Sequence, residues 1–315
     1  MKLLKQLYEI YSPSGNEKKM KKFLKQWITE NVPGARIETD NTGNLYITKG
    51  TSQTFPCVVS HLDQVQRTHS SDFRALEASN IIIGYSSKNH RQEGLGADDK
   101  NGIWVCLRCL QKYEVIKAAF FVQEETGCHG SDKCVMSFFD DCRFVLQCDR
   151  RNGGDLITNA SWTELCSKEF LKETGYEQFG YKPADGMLTD VATLKENGLQ
   201  VSALNISCGY YEPHTDHEFT VKSELRNCLD LVCHIIETCT NVYPHEDDGY
   251  GSLYGHYYGY GYDEYDMASD LVDDYLSYNP HATVQEVYDL FKEEFIHLDK
   301  DDFTDIVRAC NIRCL

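Results

Sequence analysis

Four short apolar runs constrain the fold of this 315-residue chain more than any other feature of its sequence. Each run has the length of a strand, and segments with a helical spacing of apolar residues lie between the runs. Strands that alternate with helices are typical of α/β proteins, in which a mostly parallel, mixed sheet carries helices on both faces. We therefore predict that architecture from the runs PCVVS, AAFFV, RFVLQ and VSALNIS.

Acidic and histidine side chains lie in five short segments, four of which follow or interrupt these runs. The segments are SHLD with His61 and Asp63, GLGADDKNG with Asp98 and Asp99, QEETG with Glu124 and Glu125, LQCD with Asp149, and PHTDHE with His214. Ligand sites in parallel sheets lie at the carboxyl ends of the strands, where we expect these segments. Charged groups are costly to bury there unless something compensates them, and a pair of divalent cations would do so.

Taken one at a time, these segments are weak signals. Asp98 and Asp99 would also suit the first turn of a helix, where acidic side chains are favourable. Glu124 and Glu125 are more informative, because adjacent carboxylates repel each other and need cations nearby. Together the segments offer two histidines, one shared aspartate and two further carboxylates. That set suits two zinc ions bridged by one carboxylate, and it leaves Glu124 free to act as a base.

The composition of the chain changes abruptly after residue 240, which predicts three parts. We expect a main domain over 1–240, a linker over 241–268 that is rich in Tyr, Gly and acid, and a small helical tail over 269–315. Two capping boxes mark helix starts, and they are Ser14 with Glu17 before a helix over 15–31, and Thr283 with Glu286 in the tail. Residues 64–93 are polar and are predicted to be irregular.

Charge and cysteine content limit the partners and the compartment. The net charge of −18 argues against nucleic acid, which needs clustered Lys and Arg. No apolar run reaches the roughly 18 residues of a membrane span, and the N-terminus predicts an amphipathic helix and not a signal peptide. Several of the 14 cysteines lie in apolar core patterns, which indicates buried thiols and a cytoplasmic location. Cys106 and Cys109 have no second pair at zinc-finger spacing, so core packing is favoured over a structural zinc.

The chain resembles the di-zinc exopeptidases, the family that includes peptidase T, aminoacylase and glutamate carboxypeptidase. The resemblance covers roughly residues 1–240, and the sequence motifs are most similar to those of peptidase T. It rests on eight segments in the family's order, which are LYEIYSPSGNE, DNTGNLYI, SHLDQV, GLGADDKNGI, QEETGCHGS, CDRR, GMLTDVATL and PHTDHE. It implies the zinc exopeptidase (phosphorylase/hydrolase-like) fold and makes 1–240 the catalytic domain.

The resemblance also implies a role for each site residue. Five side chains would bind two zinc ions, for which cobalt and manganese are alternatives: His61 and Asp149 on one ion, Glu125 and His214 on the other, and Asp98 on both. Asp63 would orient His61, and Glu124 would be the general acid/base. Asp190, in GMLTDVATL, would line the substrate pocket.

One departure from the family pattern concerns an inserted lid and dimerisation domain. Family members usually carry it between the equivalents of Asp149 and His214, whereas here only residues 150–213 intervene and the predicted catalytic sheet uses them. We therefore expect no lid and no lid-based dimer interface, and the oligomeric state stays open. The loss also puts substrate specificity in question.

The activity implied by the resemblance is that of an aminopeptidase acting on short peptides. Glu124 would take a proton from a water between the zinc ions and return it to the leaving amine. Two alternatives stay open. One is a deacylase or dipeptidase acting on another amide. The other is a non-catalytic metal-binding scaffold whose C-terminal tail binds a partner.

Overall fold

The computed structural model describes two compact units, Met1–Asp247 (the main unit) and Asp248–Leu315 (the C-terminal unit). The described residues are 1–160, 163–246, 265, 268–269, 271–272, 275–276, 279, 281–292, 295 and 298–313. Most of the predicted linker therefore lies outside the described residues. No helix in these ranges is long and apolar enough to cross a membrane.

A nine-stranded mixed sheet forms the centre of the main unit. Its strands are β1 (Ala35–Thr39), β2 (Leu45–Lys49), β3 (Phe55–His61), β7 (Ile116–Phe121), β8 (Cys142–Arg150), β9 (Asp155–Ala160), β10 (Thr163–Glu164), β11 (Lys182–Gly186) and β12 (Ala203–Ser207). The order is β1-β2-β7-β3-β8-β12-β9-β10, and β11 pairs with β9. The four central strands β7, β3, β8 and β12 are parallel, while β1, β2, β9 and β10 pair antiparallel around them.

Helices cover both faces of this sheet. Those described in the main unit are α1 (Lys2–Tyr8), α2 (Lys18–Asn31), α3 (Ala97–Lys112), α4 (His129–Asp132), α5 (Lys168–Glu173), α6 (Asp190–Glu196) and α7 (Lys222–Thr238), with short 3-10 turns at Met136–Phe139 and Tyr176–Phe179. Successive side chains of a strand point to opposite faces. In β3, Val58 joins the core under α1, α2, α3 and α7, whereas Cys57 and Val59 join a second core with α6. The predicted α/β class is confirmed.

A second, antiparallel sheet occupies part of the segment that was predicted to be irregular. Its five strands are β4 (Phe73–Ala78), β5 (Ile81–Ser86), β6 (Arg91–Gln92), β13 (Tyr210–Tyr211) and β14 (Phe219–Val221). The prediction for 64–93 was wrong in two places. β4 buries only Phe73 and Ala75 and exposes its other side chains, which makes its strand signal weak. β5 begins with the apolar run Ile81–Ile83, which the prediction overlooked.

The predicted capping box at the start of the second helix was also wrong. Helix α2 begins at Lys18 with Glu17 as its N-cap residue, and its cap has no side-chain hydrogen bond. The hydroxyl of Ser14 instead donates to Asp63 Oδ2 at 2.7 Å. A carboxylate that is distant in the sequence therefore takes the hydroxyl that the local pattern assigned to the helix.

The C-terminal unit contains the predicted helical appendage. Its two described helices are α8 (Val284–Phe291) and α9 (Lys300–Arg313), and the capping box of Thr283 with Glu286 is confirmed at the start of α8. Phe291, Phe295 and Phe303 are buried together, with ring centroids 6.2 to 6.4 Å apart. These aromatic side chains give the unit an apolar core of its own.

Residues beyond 240 still pack within the main unit. Tyr243 is buried, and its ring centroid lies 4.8 Å from that of Phe170 and 6.4 Å from that of Phe144. Its carbonyl accepts a hydrogen bond from the Ser202 N–H at 2.8 Å, and the His245 N–H donates to the backbone carbonyl of Gln200 at 3.0 Å. The predicted domain boundary at 240 would remove these contacts, so we propose that the domain ends near Asp247.

A chain shortened to residues 1–247 is expected to fold by itself, whereas one shortened to 1–240 should be less stable by about 3 kcal/mol. Removal of a buried aromatic side chain costs roughly that much. Urea unfolding followed by circular dichroism would compare the two chains. A shortened chain 1–247 that is insoluble or has no cooperative transition would contradict the boundary.

Candidate metal centre

The predicted acids and histidines meet at one edge of the central sheet. His61 is the last residue of β3, and Asp149 lies near the end of β8. Glu124 and Glu125 follow β7 after a short turn. Asp98 is in the first turn of α3, and His214 follows β13. Because β3, β7 and β8 are parallel, their carboxyl ends bring these segments together.

A first group of potential ligands consists of His61, Asp98 and Asp149, whose ligand atoms all lie within 4.8 Å of one another. His61 Nε2 is 3.0 Å from Asp98 Oδ1 and 3.5 Å from Asp149 Oδ1. The His61 side chain is fully buried. The three atoms therefore converge on a small volume that a single ion could occupy.

A second group consists of Asp98, Glu125 and His214. His214 Nε2 is 3.3 Å from Asp98 Oδ2 and 3.0 Å from Glu125 Oε2. His214 has a φ of 63°, in the left-handed region that residues other than glycine seldom adopt. Asp98 thus presents one carboxylate oxygen to each group, which is the arrangement that a bridging ligand requires.

The chemistry of these atoms fits divalent cations. Glu125 Oε1 and Asp149 Oδ1 are buried and have no hydrogen-bond partner among the described residues. Buried carboxylate oxygens without a partner are costly, and a cation would satisfy them. Imidazole and carboxylate ligands suit zinc, and the same donors also accept other divalent transition metals.

The pKa shifts of the clustered carboxyl groups also favour a site for cations. Burial, together with the charge of Asp98, raises the pKa of Asp149 well above its usual range. Burial also raises the pKa of Glu125. For Asp98, burial is outweighed by hydrogen bonds with His214 and His61, which hold its pKa well below the usual value. Bound cations would stabilise the charged form of these carboxylates, and such ions are often the largest local charges in a site.

Asp63 connects the first histidine to the glutamate pair. Its Oδ1 lies 3.3 Å from His61 Nδ1 and accepts a hydrogen bond from the Glu124 N–H at 3.0 Å. Its Oδ2 accepts from the Glu125 N–H at 3.3 Å and from Ser14. A carboxylate that holds the second nitrogen of a ligand histidine fixes the orientation of the ring. Asp63 can therefore orient both His61 and the turn that carries Glu124.

Asp99 lies outside both ligand groups and supports the strand that ends at His61. Its Oδ2 accepts hydrogen bonds from Ser60 Oγ at 2.5 Å and from the His61 N–H at 3.3 Å. Its Oδ1 accepts from the Gly102 N–H at 3.0 Å, inside the first turn of α3. The peptide bond between Asp98 and Asp99 is cis. These contacts are those of a residue in the first turn of a helix, one of the uses that the sequence suggested for Asp98 and Asp99.

Glu124 lies beside the first group but belongs to neither. Its Oε2 is 3.8 Å from His61 Nε2, and its Oε1 accepts a weak hydrogen bond from Cys128 Sγ at 3.7 Å. Burial raises its pKa well above the usual range, against the opposing effect of His61. A carboxyl group at this position can exchange a proton with a molecule bound next to the ligands.

Asp190, predicted to line the substrate pocket, is fully buried at the start of α6. Its oxygens accept hydrogen bonds from Ser131 Oγ at 2.6 Å and from Gln147 Nε2 at 3.2 Å. The same amide nitrogen of Gln147 lies 3.1 Å from Asp149 Oδ2. These contacts favour an indirect role. Asp190 holds the side chain of Gln147, which in turn holds the carboxylate of Asp149.

Two residues that hydrogen-bond to carboxylates of the site were not predicted from the sequence. Ser14 lies in SPSGNE and was assigned to a helix cap, although its hydroxyl bonds to Asp63. Gln147 is a buried polar residue inside the apolar strand β8. A buried amide in such a strand needs hydrogen-bond partners. Gln147 itself was therefore the signal in the sequence that other polar groups lie nearby.

The segment between Asp149 and His214 builds part of the main unit. Apart from residues 161–162, which are not described, it supplies β9 to β13 together with α5 and α6. The described part of 150–213 therefore contains no separate lid domain.

Comparison with known proteins shows the fold. No protein-family model matches the chain, and no curated protein matches it. The aminopeptidase PepT from Bacillus cereus has a TM-score of 0.61 at 15% identity, over 76% of this chain and 98% of the other. An aminopeptidase from the archaeon Desulfurococcus kamchatkensis gives 0.60 at 16%, over 76% and 96%. A tripeptidase from Staphylococcus aureus gives 0.58 at 16%, over 75% and 96%. The chain thus has the fold of these peptidases.

Proposed function

We propose that this chain is a metal-dependent exopeptidase that removes residues from the amino end of short peptides. The observation that carries the proposal is the position of Asp98, whose two oxygens face two separate ligand groups. His61 and Asp149 complete the first group, and Glu125 and His214 complete the second. Zinc is the metal that we propose for both, with cobalt and manganese as alternatives.

Each residue has a part in the proposed reaction. When bound, the two cations would supply a water of lowered pKa and would polarise the scissile carbonyl group. Glu124 would accept a proton from the attacking water and return it to the leaving amine. Asp63 would hold both the His61 ring and the backbone of Glu124 in place through the contacts described above. General acid–base catalysis of this kind requires that Glu124 stay outside the ligand groups.

Support for a peptide substrate comes from proteins that share the fold. The similar structures include two aminopeptidases and a tripeptidase, so short peptides with a free α-amino group are the proposed substrates. A cytoplasmic location is also proposed, because the described cysteines are free thiols, and nearly all of them are buried.

Metal content and substrate choice can be tested together. After reconstitution with zinc, elemental analysis is expected to find two metal ions per chain, and the protein should cleave free tripeptides. The matched control is the same peptides with an acetylated amino end, which should be cleaved far more slowly.

Other outcomes separate the alternatives. Equal cleavage of free and acetylated peptides would favour a deacylase or an endopeptidase. Two bound metals without any amide hydrolysis would favour a metal-binding scaffold. A protein that binds one metal or none would contradict the proposed centre.

A further inference from the structure

A network of buried polar side chains connects three segments of the protein, one of which contains Asp98. The Asp98 N–H donates to Glu218 Oε1 at 3.3 Å, and Gln66 Nε2 donates to Glu218 Oε2 at 3.1 Å. Gln64 Nε2 donates to Gln66 Oε1 at 2.9 Å, and the Lys100 ammonium donates to Gln64 Oε1. Because Lys100 follows Asp98 by two residues in α3, these bonds form a closed ring.

The ring joins the segments that carry ligands of both groups. Gln64 and Gln66 directly follow the segment of His61, while Glu218 follows His214 in the segment PHTDHE. The third segment is the first turn of α3, which contains Asp98 itself. A single network thus fixes the relative positions of two ligand histidines and the carboxylate between them.

The burial of its charged members shows that the network is built into the fold. Glu218 has no exposed surface, and Lys100 is 1% exposed. Charged side chains are almost never buried so deeply unless they are paired and hydrogen-bonded. Lys100 also donates to the Leu95 carbonyl at 3.1 Å.

A glycine in the same turn allows the network to close. Gly96 has a φ of 61°, which favours glycine. An added Cβ would lie 2.8 Å from Gln64 Cδ and 2.9 Å from Lys100 Nζ, closer than side chains normally approach. Glycine at position 96 therefore allows Gln64 and Lys100 to pack closely against this turn, in addition to its use in starting α3.

We propose that Glu218 is a positioning residue, which holds Asp98 so that its two carboxylate oxygens face the two metal ions. Gln64, Gln66 and Lys100 hold Glu218 in turn. This inference rests on the proposed function, because it assumes that Asp98 bridges two ions. It adds a residue that binds the backbone N–H of Asp98 and not its carboxylate.

The test measures zinc affinity of the full, metal-depleted chain by calorimetric titration with zinc alone. Glu218→Asp keeps the charge but shortens the side chain, so its carboxylate should no longer reach the Asp98 N–H. We expect its zinc affinity to fall by roughly 10- to 100-fold, the usual loss when a residue that supports a ligand is changed. Glu218→Gln keeps the length and one acceptor oxygen, so its loss should be clearly smaller.

Glu93→Asp is the matched control. Glu93 is equally buried and accepts hydrogen bonds from Ser70, but neither ligand group includes it. Its zinc affinity should be unchanged, even if thermal unfolding shows the same loss of stability as Glu218→Asp. Equal losses in the two aspartate variants would overturn the inference, as would an unchanged affinity in Glu218→Asp. A loss in Glu218→Gln as large as that in Glu218→Asp would also overturn it, since charge and not reach would then be responsible.

The unchanged chain distinguishes this inference from the proposed function. If it binds two zinc ions but cleaves no peptide, the proposed function fails, and the comparison of variants still decides the role of Glu218. If it binds and cleaves while Glu218→Asp behaves as the unchanged chain, only the inference fails. An unchanged chain that binds no zinc would overturn both.

Discussion

Replacing Asp98 with alanine is expected to abolish the binding of both metal ions at once. The reason is geometric, because Asp98 Oδ1 lies 3.0 Å from His61 Nε2 and Asp98 Oδ2 lies 3.3 Å from His214 Nε2. Each candidate site would therefore lose a ligand through a single substitution. The loss of affinity at each site should exceed the roughly 10- to 100-fold that follows changes outside the ligand set. Elemental analysis of the variant, with calorimetric titration of zinc, would measure it.

Asp149→Ala and Glu125→Ala are the matched controls, since each removes a buried carboxylate that belongs to one group only. Asp149→Ala should weaken the site of His61 and spare that of His214, and Glu125→Ala should do the reverse. If Asp98→Ala loses a single metal and keeps the other at the affinity of the unchanged chain, then Asp98 does not bridge. Circular dichroism of the metal-free proteins would show that the three variants are folded.

Three of the candidate ligands, His61, Asp149 and Glu125, have a local signal in the sequence, although each signal is weak by itself. His61 and Asp149 stand where an apolar strand ends, and Glu124 and Glu125 repel each other directly after another strand. A charged residue in such a place can be recognised without any knowledge of its partners. The parallel arrangement of the strands then brings the residues to one edge of the sheet.

The residues that support the ligands have no comparable local signal. Ser14 fits a helix cap as well as any serine does, and only the fold brings Asp63 within 2.7 Å of its hydroxyl. Glu218 is simply one of the two acids in PHTDHE until its contact with the Asp98 N–H is known. Contacts between residues this far apart in sequence depend on the tertiary structure. For the same reason, the position of Tyr243 in the core could not be read from a segment rich in Tyr and Gly.

Glu124 and its neighbour Glu125 have different environments, and this difference predicts that a change of Glu124 strongly lowers the catalytic rate. Glu125 Oε2 is 3.0 Å from His214 Nε2 and takes part in a ligand group, whereas Glu124 takes part in neither. Both backbone N–H groups donate to Asp63, at 3.0 Å from Glu124 and 3.3 Å from Glu125. The turn is thus held in one conformation, in which one carboxylate can bind metal while the other stays available for proton transfer.

Glu124→Gln is expected to keep both metals and the fold while lowering turnover of a free tripeptide by about 10²- to 10⁴-fold, the range for loss of a general acid or base. Glutamine has the same length and can still accept the weak hydrogen bond from Cys128, but it cannot take up and return a proton. Steady-state kinetics with metal analysis of the same sample would measure the effect, and Glu125→Gln is the matched control, because it should lose affinity for one metal. Glu124→Gln that retains its metals and turns over as fast as the unchanged chain would show that another group transfers the proton.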